Sequence, residues 1–114
     1  MKKNGLPRDI LIKSKSEIRD VLKNGLQKIG EAVTIYEVPK AKNEKARFAF
    51  LCNRNIKKAT ERNRLKRILR EIVRTNRIHI QNYKIIFLVR EPARDKTFWQ
   101  IKEDFVRLIS GTPQ

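Results

Sequence analysis

The sequence holds one cysteine, Cys52, and one histidine, His79. A lone cysteine excludes an internal disulfide, and with a single histidine beside it the chain has too few soft ligands for a zinc site. No run approaches the roughly 18 uncharged apolar residues of a membrane span. Met1-Lys2-Lys3-Asn4-Gly5 leads into no apolar signal core. A cytoplasmic location and no membrane partner are therefore expected. Acids are scarce, with 12 Asp plus Glu against 28 Lys plus Arg, a formal charge of +16 over 114 residues. A domain of that length stays soluble with a charge of about 2 to 8, so a polyanionic partner is the economical reading. The chain is long enough to bury roughly two thirds of its unfolded surface as one domain, 1–114, without a staple.

Candidates for covalent or acid-base chemistry are few. Cys52 ends the run Phe48-Ala49-Phe50-Leu51-Cys52, where a small buried hydrophobe is a better reading than a nucleophile. His79 stands between Ile78 and Ile80 with no partner acid, which argues against a general base. The carboxylates are scattered, so neither a catalytic set nor a metal site of the chain's own is expected.

Ser14 or Ser16 precedes Ile18, Val21 and Leu22 at helical spacing, with Gly25 as a stop, predicting a short amphipathic helix. Residues 32–38 alternate, with Val33 and Ile35 on one face and Thr34 and Tyr36 on the other. After a polar break from Pro39 to Lys45, Phe48, Phe50 and Cys52 alternate with Ala49, Leu51 and Asn53. These strands are expected to pair as an antiparallel hairpin with a loose loop. From about Lys57 to Arg77 the period is helical, with Leu65, Ile68, Leu69, Ile72 and Val73 in one stripe. The run Tyr83 to Val89 is almost continuously apolar and predicts a central strand. A last helix from about Thr97 to Ile109 offers Phe98, Ile101, Phe105, Leu108 and Ile109 to the core, with Gly111 and Pro113 ending it. The order α-β-β-α-β-α, with a strand-helix-strand crossover in a mixed sheet, predicts one layered α/β (α+β) domain.

The long helix concentrates charge. At about 100° per residue, Lys66, Arg70, Asn63, Arg74 and Arg67 fall between roughly 40° and 140° from Arg62, with the apolar stripe roughly 130° away and Arg64 and Glu71 to a third side. Like charges at i,i+4, such as Arg62/Lys66 and Lys66/Arg70, destabilise a bare helix by about 0.2–0.5 kcal/mol each. Phosphate oxygens offset that cost, because arginine presents a planar fork of donors matched to them. Glu61 and Glu71 do not interleave with the basic stripe, whereas a merely solvated helix mixes the signs. Arg54, Lys57 and Lys58 add charge before the helix, whose first free N–H groups also favour an anion. Beside it, the outer strand faces offer Thr34, Tyr36, Ala49, Leu51 and Asn53, a surface able to cradle single-stranded nucleic acid. Tyr36 can stack on a base or serve as an ordinary strand residue.

The pattern Ile56-x-x-Ala59-x-x-Arg62-Asn63-Arg64-Leu65-Lys66-Arg67-x-Leu69-Arg70 resembles the signature of the bacterial ribonuclease P protein component, and the likeness extends from near Ser16 to the last helix. The resemblance implies a compact two-layer α/β sandwich, ribosomal-protein-like, with a left-handed βαβ crossover. It implies that the basic helix faces a catalytic RNA, one protein per RNA. A cleft formed by Ile18, Leu22, Thr34, Tyr36, Ala49, Leu51, Asn53 and Arg54 would hold the single-stranded 5′ leader of precursor tRNA. Mg²⁺ held mainly by that RNA would drive phosphodiester hydrolysis, the chain positioning rather than catalysing. Two departures stand out: Ile18 and Leu22 occupy positions where the family usually has phenylalanine, and neutral Asn55 follows Arg54 where two adjacent lysines are common. A ribosome-associated structural protein would carry similar charge but not this signature. A metal-dependent nuclease acting alone would need clustered acids or histidines.

Overall fold

The computed structural model describes residues 10–76 and 80–109. Met1 to Gly5, Arg77, His79, Gly111 and Pro113 lie outside the described residues. Helix α1 (Lys15–Asn24) starts at Ser14, whose Oγ accepts the Glu17 N–H, and stops at Gly25. A Cβ at Gly25 would stand 2.6 Å from the carbonyl oxygen of Val21, the same oxygen that its N–H meets. Strands β1 (Leu26–Ile29), β2 (Val33–Pro39) and β3 (Arg47–Cys52) follow, then helix α2 (Ala59–Thr75) and strand β4 (Tyr83–Val89). A 3₁₀ helix (Glu91–Asp95) leads into α3 (Phe98–Ile109). At the start of α3, Thr97 Oγ1 accepts the Gln100 N–H while Gln100 Oε1 accepts the Thr97 N–H, a reciprocal cap.

The four strands lie in the order β1-β2-β4-β3, β2 antiparallel to both neighbours and β3 parallel to β4. The apolar run of β4 is thus central, and β3-α2-β4 is the expected crossover. The antiparallel hairpin expected of residues 32–38 and 48–53 does not form: β4 lies between them. A buried apolar strand needs a neighbour on each edge, and a β2–β3 hairpin would have pushed β4 to the rim. The order α-β-β-α-β-α is present, with β1 added as an edge strand.

Alternation sorts the sheet's side chains onto two faces. Val33, Ile35, Phe48, Phe50, Ile85, Phe87 and Val89 pack with Leu65, Leu69, Ile72 and Val73 of α2 and Ile101 and Phe105 of α3. Phe87 is the hub, its ring 5.5 Å from that of Phe50 and 5.3 Å from that of Phe105. On the opposite face α1 sets Val21 over Ala49 and Ile86, with Ile12 beside them and Ile18, Leu22, Tyr36, Val38 and Leu51 partly covered. Leu11 and Ile12 run along the outer edge of β3, the Ile12 N–H donating to the Phe48 carbonyl at 2.7 Å. No described helix is long and apolar enough to cross a membrane.

Candidate RNA interface

Helix α2 buries Leu65, Leu69, Ile72 and Val73 and turns the other side of its cylinder out. Asn63, Arg64, Arg67 and Arg70 are exposed; Arg62, Lys66 and Arg74 are half-buried. Arg54, Lys57 and Lys58, all exposed, crowd the approach to the helix, where Lys58 at the N-cap supplies no side-chain bond. Arg62 reaches back from the first turn and donates through Nη1 to the carbonyls of Ile56 at 3.1 Å and Lys57 at 2.7 Å. That side chain braces the β3–α2 loop. Asn53 does the same from the other end, its Oδ1 accepting the Asn55 N–H at 2.8 Å.

The charged face is not uniform. Arg74 is committed to Glu71, with Nε donating to Oε1 at 3.1 Å, so Glu71 does interleave with the basic side chains, against the sequence expectation. The hydrogen bond from Arg74 lowers the Glu71 carboxyl below its ordinary value and raises the guanidinium further still. Lys66, Arg67 and Arg70 meet no acid among the described residues, nor do Arg54, Lys57 and Lys58 before the helix, so these cations are open to an outside anion. Arg70 sits over the Phe50 ring at 5.8 Å, close enough for the ring's negative face to hold it.

Arg70 also borders a cleft of about 220 Å³ at the edge of β3, lined by Leu11, Ile12, Ile18, Ala49 and Leu51 among others. Of the residues expected in a leader cleft, Ile18, Ala49 and Leu51 meet here. Leu22, Thr34, Tyr36 and Asn53 do not line it, and Leu22 and Tyr36 belong to the α1-side cluster. The expectation of open strand faces fails at Thr34 and Ala49, which are 3% and 5% exposed. The alternation places them on the α1 side, where both are nonetheless buried. Tyr36 is half-buried, and its hydroxyl accepts from Gln27 Nε2 at 2.9 Å.

Strand register supplies residues that the pattern alone missed. Thr34 pairs with Ile29 on one side and Leu88 on the other, and Leu88 pairs with Leu51. Ile29, Thr34, Leu88 and Leu51 therefore form one cross-strand row, with Ile29 65% exposed at the rim. Leu88 was hidden in an all-apolar run, where period cannot assign a face. Cys52 is half-buried and packs beside the main core; burial pushes its thiol up, and nearby Lys66 and Arg62 only partly oppose that. Among the described residues no three His, Cys, Asp or Glu side chains gather where they could hold a metal ion.

A mixed sheet with a cationic helix on one face and a half-apolar cleft at its edge defines an α+β protein suited to binding a polyanion. The family described as Ribonuclease P matches residues 6–112. Curated relatives named Ribonuclease P protein component include one from Desulforamulus reducens, 30% identical over 82% of this chain and 83% of its own. Another, from Clostridioides difficile, is 30% identical over 89% and 90%. Among solved structures, the RNase P protein of Staphylococcus aureus superposes with a TM-score of 0.80 at 24% identity, covering 88% of this chain and 92% of its own. That of Thermotoga maritima gives 0.76 at 24% identity over 86% and 93%. The chain belongs to the ribonuclease P protein component family, which implies tRNA 5′ processing carried out together with an RNA.

Proposed function

We propose that this chain binds the catalytic RNA of ribonuclease P through α2 and grips the 5′ leader of precursor tRNA on the α1 side of the sheet, one protein per RNA, in the cytoplasm. The observation that carries the reading is Arg70, exposed on the basic helix and at the same time a wall of the cleft at the β3 edge. A phosphate backbone followed along α2 arrives, through that side chain, at Ile18, Ala49 and Leu51. Around buried Thr34, the more open members of its row, Ile29, Leu88 and Leu51, extend an unpaired strand's path across the sheet, with Tyr36 as its aromatic platform.

The chain's share in cleavage is positioning. Lys66, Arg67 and Arg70 neutralise phosphates, so that RNA segments approach one another at a lower salt cost. Contacts to the leader, which the mature product lacks, favour precursor over product and hold the scissile bond in register. Mg²⁺ held by the RNA would supply an activated water and stabilise the leaving oxygen. Among the described residues no three His, Cys, Asp or Glu side chains gather where they could hold it.

Tyr36→Ala tests the leader path. In a holoenzyme rebuilt with a bacterial ribonuclease P RNA, the variant should bind the RNA subunit normally and bind precursor tRNA about 1–3 kcal/mol more weakly, with mature tRNA unaffected. Equal losses for precursor and mature tRNA would contradict the assignment.

A further inference from the structure

Helix α3 turns Ile101, Asp104 and Phe105 inward and leaves an indole outside. Trp99 is 70% exposed and is the only tryptophan of the chain. Tryptophan has among the most to gain from burial, so leaving it in water calls for a reason. It is held in place rather than loose: Phe98 meets it edge to face with centroids 5.1 Å apart, and Lys102 Nζ stands 5.5 Å from the ring centroid. Trp99 and Lys102, with Val106 and Arg107, border an open groove of about 580 Å³, in which Glu103 is the sole lining acid.

A second copy of the chain would bring its own +16 against the first, and Lys102 and Arg107 place part of that charge at the groove itself. Single-stranded RNA brings the opposite charge and a flat base for the indole, and an aromatic ring flanked by cations suits an unstacked base. Position selects which RNA. Helix α3 packs on the same sheet face as α2, away from the α1-side cleft. The 3₁₀ helix joins them, Arg94 Nε donating to Glu61 Oε1 at 3.1 Å and Arg64 Nη2 donating to the Arg94 carbonyl at 3.4 Å.

We infer that Trp99, with Lys102 and Arg107, forms a second contact for the RNA bound by α2, stacking an unpaired base of that RNA on a track that passes over the 3₁₀ helix. The inference rests on the reading of α2 as an RNA-binding face. As the sole tryptophan, Trp99 reports on its own site without a label. The full chain is titrated with a bacterial ribonuclease P RNA while filter retention of radiolabelled RNA follows binding separately.

Trp99 emission should be quenched, and shielded from acrylamide, over the concentrations at which RNA is retained. Trp99→Ala should weaken RNA affinity by about tenfold to a hundredfold, with Trp99→Phe recovering part of the loss. Retention with Trp99 emission and acrylamide access unchanged overturns the inference and leaves the α2 reading standing. No retention removes both. Emission that follows protein concentration in the absence of RNA assigns the groove to a second copy and likewise overturns the inference.

Discussion

Replacing Asp104 with asparagine removes a buried charge shared by three backbone donors. Asp104 is 2% exposed on the inner side of α3. Its Oδ2 accepts the N–H groups of Ala32 at 2.9 Å and Val33 at 3.0 Å, and its Oδ1 accepts that of Glu31 at 3.1 Å. The carboxylate thereby pins the β1–β2 turn to α3. An asparagine keeps one oxygen, so two of these bonds survive as neutral ones while the third donor faces an NH₂ group. Losing charge assistance costs about 1 kcal/mol per surviving bond, and the mismatched donor adds about another 1, for a total of about 3 kcal/mol. In a domain of this size, that lowers the melting temperature by about 15 °C. Arg107→Ala is the control: Arg107 also pairs with Asp104, at 2.7 Å, but its side chain is 65% exposed, so its loss should cost under about 1 kcal/mol. Melting of both variants by circular dichroism decides the matter. Asp104→Asn melting within about 2 °C of the parent would refute the role given to the carboxylate.

Arg67→Ala should weaken binding to ribonuclease P RNA and lower the salt slope by about one unit, whereas Arg74→Ala, whose side chain is already paired with Glu71, should change the slope less. Equal changes would mean that the pair opens on binding. Glu71→Gln should release Arg74 and tighten RNA binding, as titrations at several salt concentrations would read. The Glu71–Arg74 pair lowers the carboxyl below its ordinary 4.5, so its contribution is present above that value and fades as pH falls through the lower folded value; acid titration of Glu71→Gln should lack that step. Gly30→Ala would place a Cβ 2.5 Å from Asp104 Oδ2 and 2.8 Å from the Val33 carbonyl, and should destabilise the fold by about 1–3 kcal/mol in a urea melt. Cys52, raised by burial, should react with a disulfide reagent at mildly alkaline pH more slowly than free cysteine; faster reaction would contradict its packing role.

Helical period was readable wherever a single face is buried, and α1, α2 and α3 each begin and end within a few residues of their predicted places. Pairing was harder. Strand β1 spans only Leu26–Ile29 between Gly25 and Gly30, too short for alternation to register. The expected hairpin relied on β2 and β3 being neighbours in sequence, yet it conflicted with a central β4 and a β3-α2-β4 crossover. If β3 pairs with β4 and β4 is central, only β2 or an unseen strand can take the other edge. At the candidate site, the apolar and basic sides of α2 followed from spacing alone. The Arg74–Glu71 pair, the burial of Thr34 and Ala49 and the place of Leu88 depend on rotamers and register, which spacing does not encode.

The most direct test is cleavage of a 5′-labelled precursor tRNA by a bacterial ribonuclease P RNA at low Mg²⁺, with and without this protein. Release of a leader of the correct length only when the protein is present is the predicted result. No stimulation, alongside salt-sensitive binding to RNAs of every kind, would contradict it.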